Sequence, residues 1–179
     1  MKPLACRKKI PLILFSAMLT FGIAHAKELK PIEARAPMSQ LKLPDLAGKI
    51  HSLADYKGKV VLVNFWATWC PPCRAEMPSM QRLKERMAGK PFAILAVDMA
   101  ETKTEIRDFL KELKPTKIDF TILLDRDGQT IKDWRVAVFP TSYIIDAEGK
   151  LRYSLLGSIE WDEEDTFKKI EALLPPAAH

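Results

Sequence analysis

Cys70 and Cys73 are separated by two prolines. The pair sits between an apolar run, Val60 to Trp66, and a helical pattern that begins directly after it. Strand, turn, cysteine pair and helix in that order is what a thiol–disulfide site requires. Its chemistry is attack of a thiolate on a disulfide sulfur, through a mixed disulfide. A free cysteine titrates at about pH 8.5, so only a small fraction is thiolate at neutral pH. At the start of a helix, Cys70 meets unpaired N–H groups and the positive end of the dipole, which favour the anion. Cys73, three residues on, lands on the same helical face. Cys70 is the candidate nucleophile and Cys73 the candidate resolving thiol.

Pro71 and Pro72 suit the first helical positions, where a missing N–H leaves nothing unpaired. They also withdraw two donors from around the Cys70 sulfur. Glu76 follows Cys73 by three residues, in line with Met80, Leu83 and Met87. A carboxylate on that inward stripe is partly desolvated, which raises its pKa. That suits a proton acceptor for Cys73 and a modulator of the thiols. A glutamate near a helix start is also favoured by the dipole alone. Trp69, beside the nucleophile, reads as a partly exposed apolar contact for partners, and Trp66 as core.

Around these residues the chain alternates strands and helices. Leu41–Leu43 and Ile50–Leu53 flank Asp45–Lys49 and read as a short hairpin. Val60–Trp66 is apolar at nearly every position, as a strand buried on both faces should be. The helix after the cysteines runs to about Met87 and stops at Ala88-Gly89-Lys90-Pro91; Pro78 lies inside it and removes one hydrogen bond. Phe92–Met99 is a second buried strand, Thr102–Leu113 a helix, Ile118–Leu124 strand-like, and Gln129–Trp134 a short helix. Thr141–Ile145 and Leu151–Leu156 are strands about the turn Ala147–Lys150, and Asp162–Leu174 is a closing helix. This order predicts an α/β fold with parallel central strands and helices on both faces.

Composition bounds the rest. With 179 residues and 47% hydrophobic content, the chain has room for one domain with a real core. Residues 1–26 stand apart: Lys2, Arg7, Lys8 and Lys9 precede 15 uncharged residues, Ile10–Ala24, and Ala24-His25-Ala26 is a small-x-small cleavage signal. That is the pattern of a secretory signal peptide. An uncleaved anchor is the alternative, although a full span takes about 20 apolar residues. Four of the 28 basic residues lie in this segment and none of the 23 acidic ones, so the remainder carries a net charge of only +1. Basicity therefore gives no support to nucleic-acid binding. Residues 27–37 are expected to be a flexible leader, 38–175 the domain and 176–179 a tail. Beyond residue 26 only Cys70 and Cys73 remain as cysteines. Two thiols this close in an exported chain point to redox work, not to a disulfide framework. Zinc needs four ligands, and only the isolated His51 and His179 are left to add.

The string Asn64-Phe65-Trp66-Ala67-Thr68-Trp69-Cys70-Pro71-Pro72-Cys73-Arg74-Ala75-Glu76-Met77-Pro78 resembles the thioredoxin-fold, TlpA/ResA-like thiol–disulfide oxidoreductases of the bacterial envelope. So do Val138-Phe139-Pro140-Thr141 and Asp146-Ala147-Glu148-Gly149-Lys150. The likeness spans roughly residues 38–174. It implies a thioredoxin fold: a central mixed sheet flanked by helices on both faces, an N-terminal hairpin, and a central αβ insertion in the 42 positions from Asp98 to Pro140. It implies that Pro140 is a cis-proline facing the cysteines, with Phe139 and Thr141 beside it as substrate contacts. Phe139–Pro140 could equally be an ordinary turn. Where thioredoxin has a buried aspartate this chain has Asn64, and the group's glutamate falls at Glu76. The cytochrome-maturation branch with Pro-Glu-Thr-Phe after its loop is a poorer match, since Pro140-Thr141-Ser142-Tyr143 stands here.

The expectation is an exported, monomeric reductant of protein disulfides in the periplasm or cell envelope. It needs no cofactor beyond the Cys70–Cys73 disulfide. A membrane thiol reductant supplies its electrons, and cytochrome c or metal-site maturation is the implied setting. With two donors missing at Cys70, its potential should lie nearer thioredoxin, at about −270 mV, than DsbA, at about −120 mV. Two other readings compete. A thioredoxin-fold peroxidase needs a proline ahead of its lone cysteine, and Val63 to Cys70 has none. A non-catalytic chaperone or metal-binding module would use the cysteines as ligands.

Overall fold

The computed structural model describes residues 28–32 and 40–176. The segment 1–26 read as a signal or anchor lies outside them, as do 27 and 33–37 of the expected leader, 38–39 at the start of the expected domain and 177–179 of the tail. In chain order the elements are β1 (Lys30–Pro31), β2 (Lys42–Pro44), β3 (Ile50–Ser52), a 3₁₀ turn (Leu53–Tyr56), β4 (Val60–Trp66), α1 (Pro71–Arg86), β5 (Phe92–Met99), α2 (Lys103–Glu112), β6 (Thr121–Asp125), α3 (Gln129–Asp133), β7 (Thr141–Ile145), β8 (Leu151–Leu156) and α4 (Glu164–Glu171).

The six-stranded sheet runs β1-β8-β7-β4-β5-β6. β4, β5 and β6 are parallel, and β7, β8 and β1 pair antiparallel. β4 is the central strand and every residue in it is buried. Val60, Leu62 and Trp66 face Met77, Met80 and Leu83 of α1, with Ile106 and Phe109 of α2 and Ile170 of α4. Val61, Val63 and Phe65 point the other way, into a core shared with Leu41 and Leu43 of the β2–β3 hairpin and with Ile131 and Trp134. An apolar residue at each position is therefore what a strand covered on both faces demands. The fold is the expected thioredoxin architecture, with α2 and β6 as the insertion.

Three details differ from the sequence reading. In the stretch expected to be a flexible leader, Lys30–Pro31 add a short edge strand to Tyr153–Ser154, and Leu29 beside them is buried in the core. Proline is tolerated there because an edge position needs no ladder donor on its outer side. β6 begins at Thr121, not Ile118, because Asp119 is tied to α1: Gln81 donates to its carboxylate at 2.8 Å and accepts its N–H at 3.1 Å. α4 starts only after Glu163, because the residues ahead of it are held against α1. The Trp161 N–H donates to Ser79 Oγ at 3.1 Å, and Arg82 grips both carboxylate oxygens of Asp162. Of the two histidines left as metal candidates, His51 is bound to Asp45 and the Tyr56 hydroxyl, bracing the hairpin, and His179 lies outside the described residues.

Candidate active site

Strand β4 ends at Trp66, and the chain turns through Ala67, Thr68 and Trp69 into α1. Cys70 is the N-cap of α1, with extended backbone, and Pro71 and Pro72 occupy the first two helical positions. Cys70 and Cys73 form a disulfide with Cα atoms 5.3 Å apart. With both prolines lacking a donor, the first helical N–H left to reach Cys70 Sγ is that of Cys73, at 3.3 Å. Cys70 is 4% exposed and Cys73 fully buried.

Glu76 lies one turn further, on the inward stripe and 1% exposed. Asn64 Nδ2 of β4 donates to one carboxylate oxygen at 2.8 Å, and Trp161 Nε1 donates to the other at 3.0 Å. Asn64 also donates to Ser142 Oγ of β7 at 2.9 Å, so one amide joins the cysteine helix to the strand that follows Pro140. These donors favour the ionised carboxylate, while burial favours the neutral acid.

The Phe139–Pro140 peptide is cis, and so is Lys114–Pro115, which the sequence reading did not single out. Pro140 is buried, and its carbonyl accepts the Gly157 N–H at 2.8 Å. Phe139 is half-buried and meets Trp69 edge-on, ring centres 5.9 Å apart. Trp69 is 61% exposed and Val138 47%. An apolar surface of Trp69, Phe139 and Val138 therefore adjoins the disulfide. Thr141, expected beside Phe139 as a substrate contact, is 1% exposed, and its hydroxyl donates to the Val138 carbonyl at 2.8 Å. Its side chain ties the proline turn from inside and does not join the exposed apolar surface.

The structure thus brings Cys70, Cys73, Glu76, Trp69 and Phe139 together at the C-terminal end of β4. Sequence reasoning missed Trp161 and Ser142, which sit 85 and 78 residues from their partners Glu76 and Asn64. Neither carries a periodic or motif signal. It also missed a second carboxylate beside the turn: Glu101 accepts the Thr68 N–H at 2.6 Å and the Thr68 hydroxyl at 2.5 Å. Among the described residues, no three His, Cys, Asp or Glu are grouped to hold a metal ion.

A cysteine pair closing the start of a helix on a thioredoxin-type sheet, with an acid behind it, defines a thiol–disulfide oxidoreductase of the thioredoxin fold. The chain belongs to the AhpC/TSA family, whose model matches residues 32–154. The thiol-disulfide oxidoreductase ResA of Bacillus cereus is 36% identical over 150 residues, covering 83% of this chain and 84% of that one. ResA of Geobacillus thermodenitrificans is 33% identical over 173 residues, 96% and 97% of the two chains. A thiol:disulfide interchange protein of Chlorobium tepidum superposes with a TM-score of 0.66 at 27% identity, over 80% of this chain and all of the other. The resemblance first drawn from the cysteine string is the one these relatives carry.

Proposed function

We propose that this oxidoreductase reduces protein disulfides in the cell envelope by dithiol–disulfide exchange at Cys70 and Cys73. The reading rests on one observation: Cys70 caps α1 in disulfide linkage to Cys73, with the buried Glu76 one turn behind. In the reduced enzyme the Cys70 thiolate attacks a substrate sulfur. The substrate S–S bond breaks and one substrate thiolate leaves. Cys73 gives its proton to Glu76 and attacks Cys70 Sγ, the mixed disulfide breaks, and the second substrate thiolate is released. Two electrons pass to the substrate, and the Cys70–Cys73 disulfide remains. A membrane thiol reductant restores the dithiol.

Trp69, Phe139 and Val138 offer the apolar surface on which an unfolded cysteine-bearing segment would lie, and the protein works as a monomer. The N-terminal pattern supports export. Among the described residues no helix is long and apolar enough to cross a membrane. The resemblance to the TlpA/ResA group favours cysteines awaiting haem or metal as the substrate class.

The direct test is Cys73→Ser in cells. It should strand substrates on Cys70 as mixed disulfides that a reducing agent releases, and Cys70→Ser should strand none. A redox titration should give a potential near the thioredoxin end, about −270 mV. A potential near the DsbA end, or consumption of peroxide by the isolated protein, would reject the assignment as a reductant.

A further inference from the structure

Behind the turn that leads to Cys70 lies an acid that the exchange chemistry above does not use. Asp98, next to last in β5, lies directly beside Trp66 of β4 and is 0% exposed. Its Oδ1 accepts the Glu101 N–H at 3.1 Å. Its Oδ2 is buried, and no donor reaches it among the described residues. An ionised carboxylate left so would be costly, whereas a protonated one can use that oxygen as a donor. The acceptor at hand is Glu101, the side chain that holds Thr68 by both its N–H and its hydroxyl. The chain makes a left-handed turn at Ala100 (φ 59°) to bring Glu101 back over this place. A non-glycine residue in that region is strained, and such strain gathers at functional sites.

We propose that Asp98 is a proton-holding positioning residue. Its carboxylic acid donates to Glu101, and the two side chains together carry one negative charge that clamps Thr68 in the turn before Cys70. Losing the proton puts two charges side by side in a buried place, loosens the clamp and adds negative charge behind the thiolate. The reactivity of Cys70 is thereby tied to a second titration. Burial first, and then the carboxylate of Glu101, push the Asp98 acid up to about 8.

The other charged groups around the pair are few. Glu105, in the first turn of α2, is occupied in capping Thr102. Arg74 of α1 donates to the Thr68 carbonyl at 3.2 Å and pairs with Glu112. β4 presents Trp66 and Asn64, which do not titrate. On β6, Leu124 lies opposite Asp98, while Asp125 turns its carboxylate to the N–H groups of Thr130 and Ile131.

The inference rests on Cys70 being the nucleophile of the proposed exchange, and the test separates the two. In the full chain carrying Glu76→Gln, which removes the other buried acid of the site, infrared spectra should show a protonated-carboxyl band at pH 7 that fades as pH rises through about 8. Asp98→Asn should remove that band. Glu101→Gln should move its midpoint to lower pH, because the like charge is gone. In the same Glu76→Gln background, the alkylation rate of Cys70 against pH should show two inflections, and Asp98→Asn should reduce them to one. A band that survives Asp98→Asn, a midpoint that ignores Glu101→Gln, or a two-step profile unchanged by Asp98→Asn each overturns the proposal. Insulin reduction that survives Cys70→Ser would overturn the exchange reading instead, while the band still decides the state of Asp98.

Discussion

An amide at position 64 leaves Glu76 as the one acid directly behind the cysteines, and Asn64 Nδ2 is among the donors that hold it. Glu76→Gln keeps the volume but can take no proton, so the step in which Cys73 must lose one should slow by roughly 10²-fold, the usual lower range for a positioned base. Stopped-flow reduction of a disulfide peptide across pH reads this, and an unchanged rate and unchanged thiol titrations would remove Glu76 from the mechanism. Trp161→Phe keeps an aromatic ring in part of that space, without the N–H that meets Glu76. It should lower stability by about 1–3 kcal/mol, the cost of depriving a buried polar group of its partner, as measured by urea unfolding. At this scale the sequence reading singled out Cys70, Cys73, Glu76, Asn64 and Trp69, all within one contiguous motif. It could not find Trp161, Glu101 or Asp98. Trp161 and Glu101 sit in loops, where no hydrophobic period marks which way a side chain points, Trp161 pairs across 85 residues, and Asp98 lies within an otherwise apolar strand.

Among the elements, the corner between β5 and α2 is strained at Ala100. Ala100 holds a positive φ and donates its N–H to the Asp125 carbonyl at 3.1 Å, which fixes where Glu101 points. Glycine has no Cβ to clash there, so Ala100→Gly should raise stability by about 1 kcal/mol in equilibrium unfolding while the Thr68 contacts persist. A loss of stability would mean that the corner is not strained. The segment 158–163 is positioned in another way. Arg82 and Arg86 of α1 hold Glu160, Asp162 and Glu164, and the Arg86 guanidinium lies 3.8 Å from the centre of the Phe167 ring. Exposed pairs contribute little singly, so their effect here is to set the place of Trp161, not to stabilise the fold at large. β4, β5, β7, β8 and α1 lie where apolar runs and stop signals put them. The ends of β6 and α4 differ because side chains of α1, Gln81 and Arg82, capture the neighbouring backbone and carboxylates before the ladder or helix can extend.

For the molecule as a whole, Asp98 gives stability a definite pH dependence. Its folded-state acid is pushed up, by burial and then by Glu101, to about 8, well above its unfolded value of about 3.9. The folded state therefore binds the extra proton, and this stability is fully present below pH 4. It declines as pH rises between the two values, by at most about 1.4 kcal/mol per pH unit, and is gone above about 8. Thermal unfolding of Asp98→Asn across pH 4–9 should show this decline removed and the variant more stable than the parent at pH 9. Equal slopes would mean that Asp98 is ionised in the folded protein. By itself the sequence determined the alternation of strands and helices, the burial of β4 on both faces, and the placing of a cysteine pair at a helix start. Each of these is a local consequence of residue type and spacing. Only the tertiary structure decided that Asp98 and Glu101 stand behind the turn to Cys70, because two carboxyl groups can share a buried proton only after β5 has paired with β4 and the chain has turned back at Ala100. The disulfide site is written in consecutive residues. The proton chemistry around it depends on residues the sheet brings together, and burial there is what sets which of them are charged.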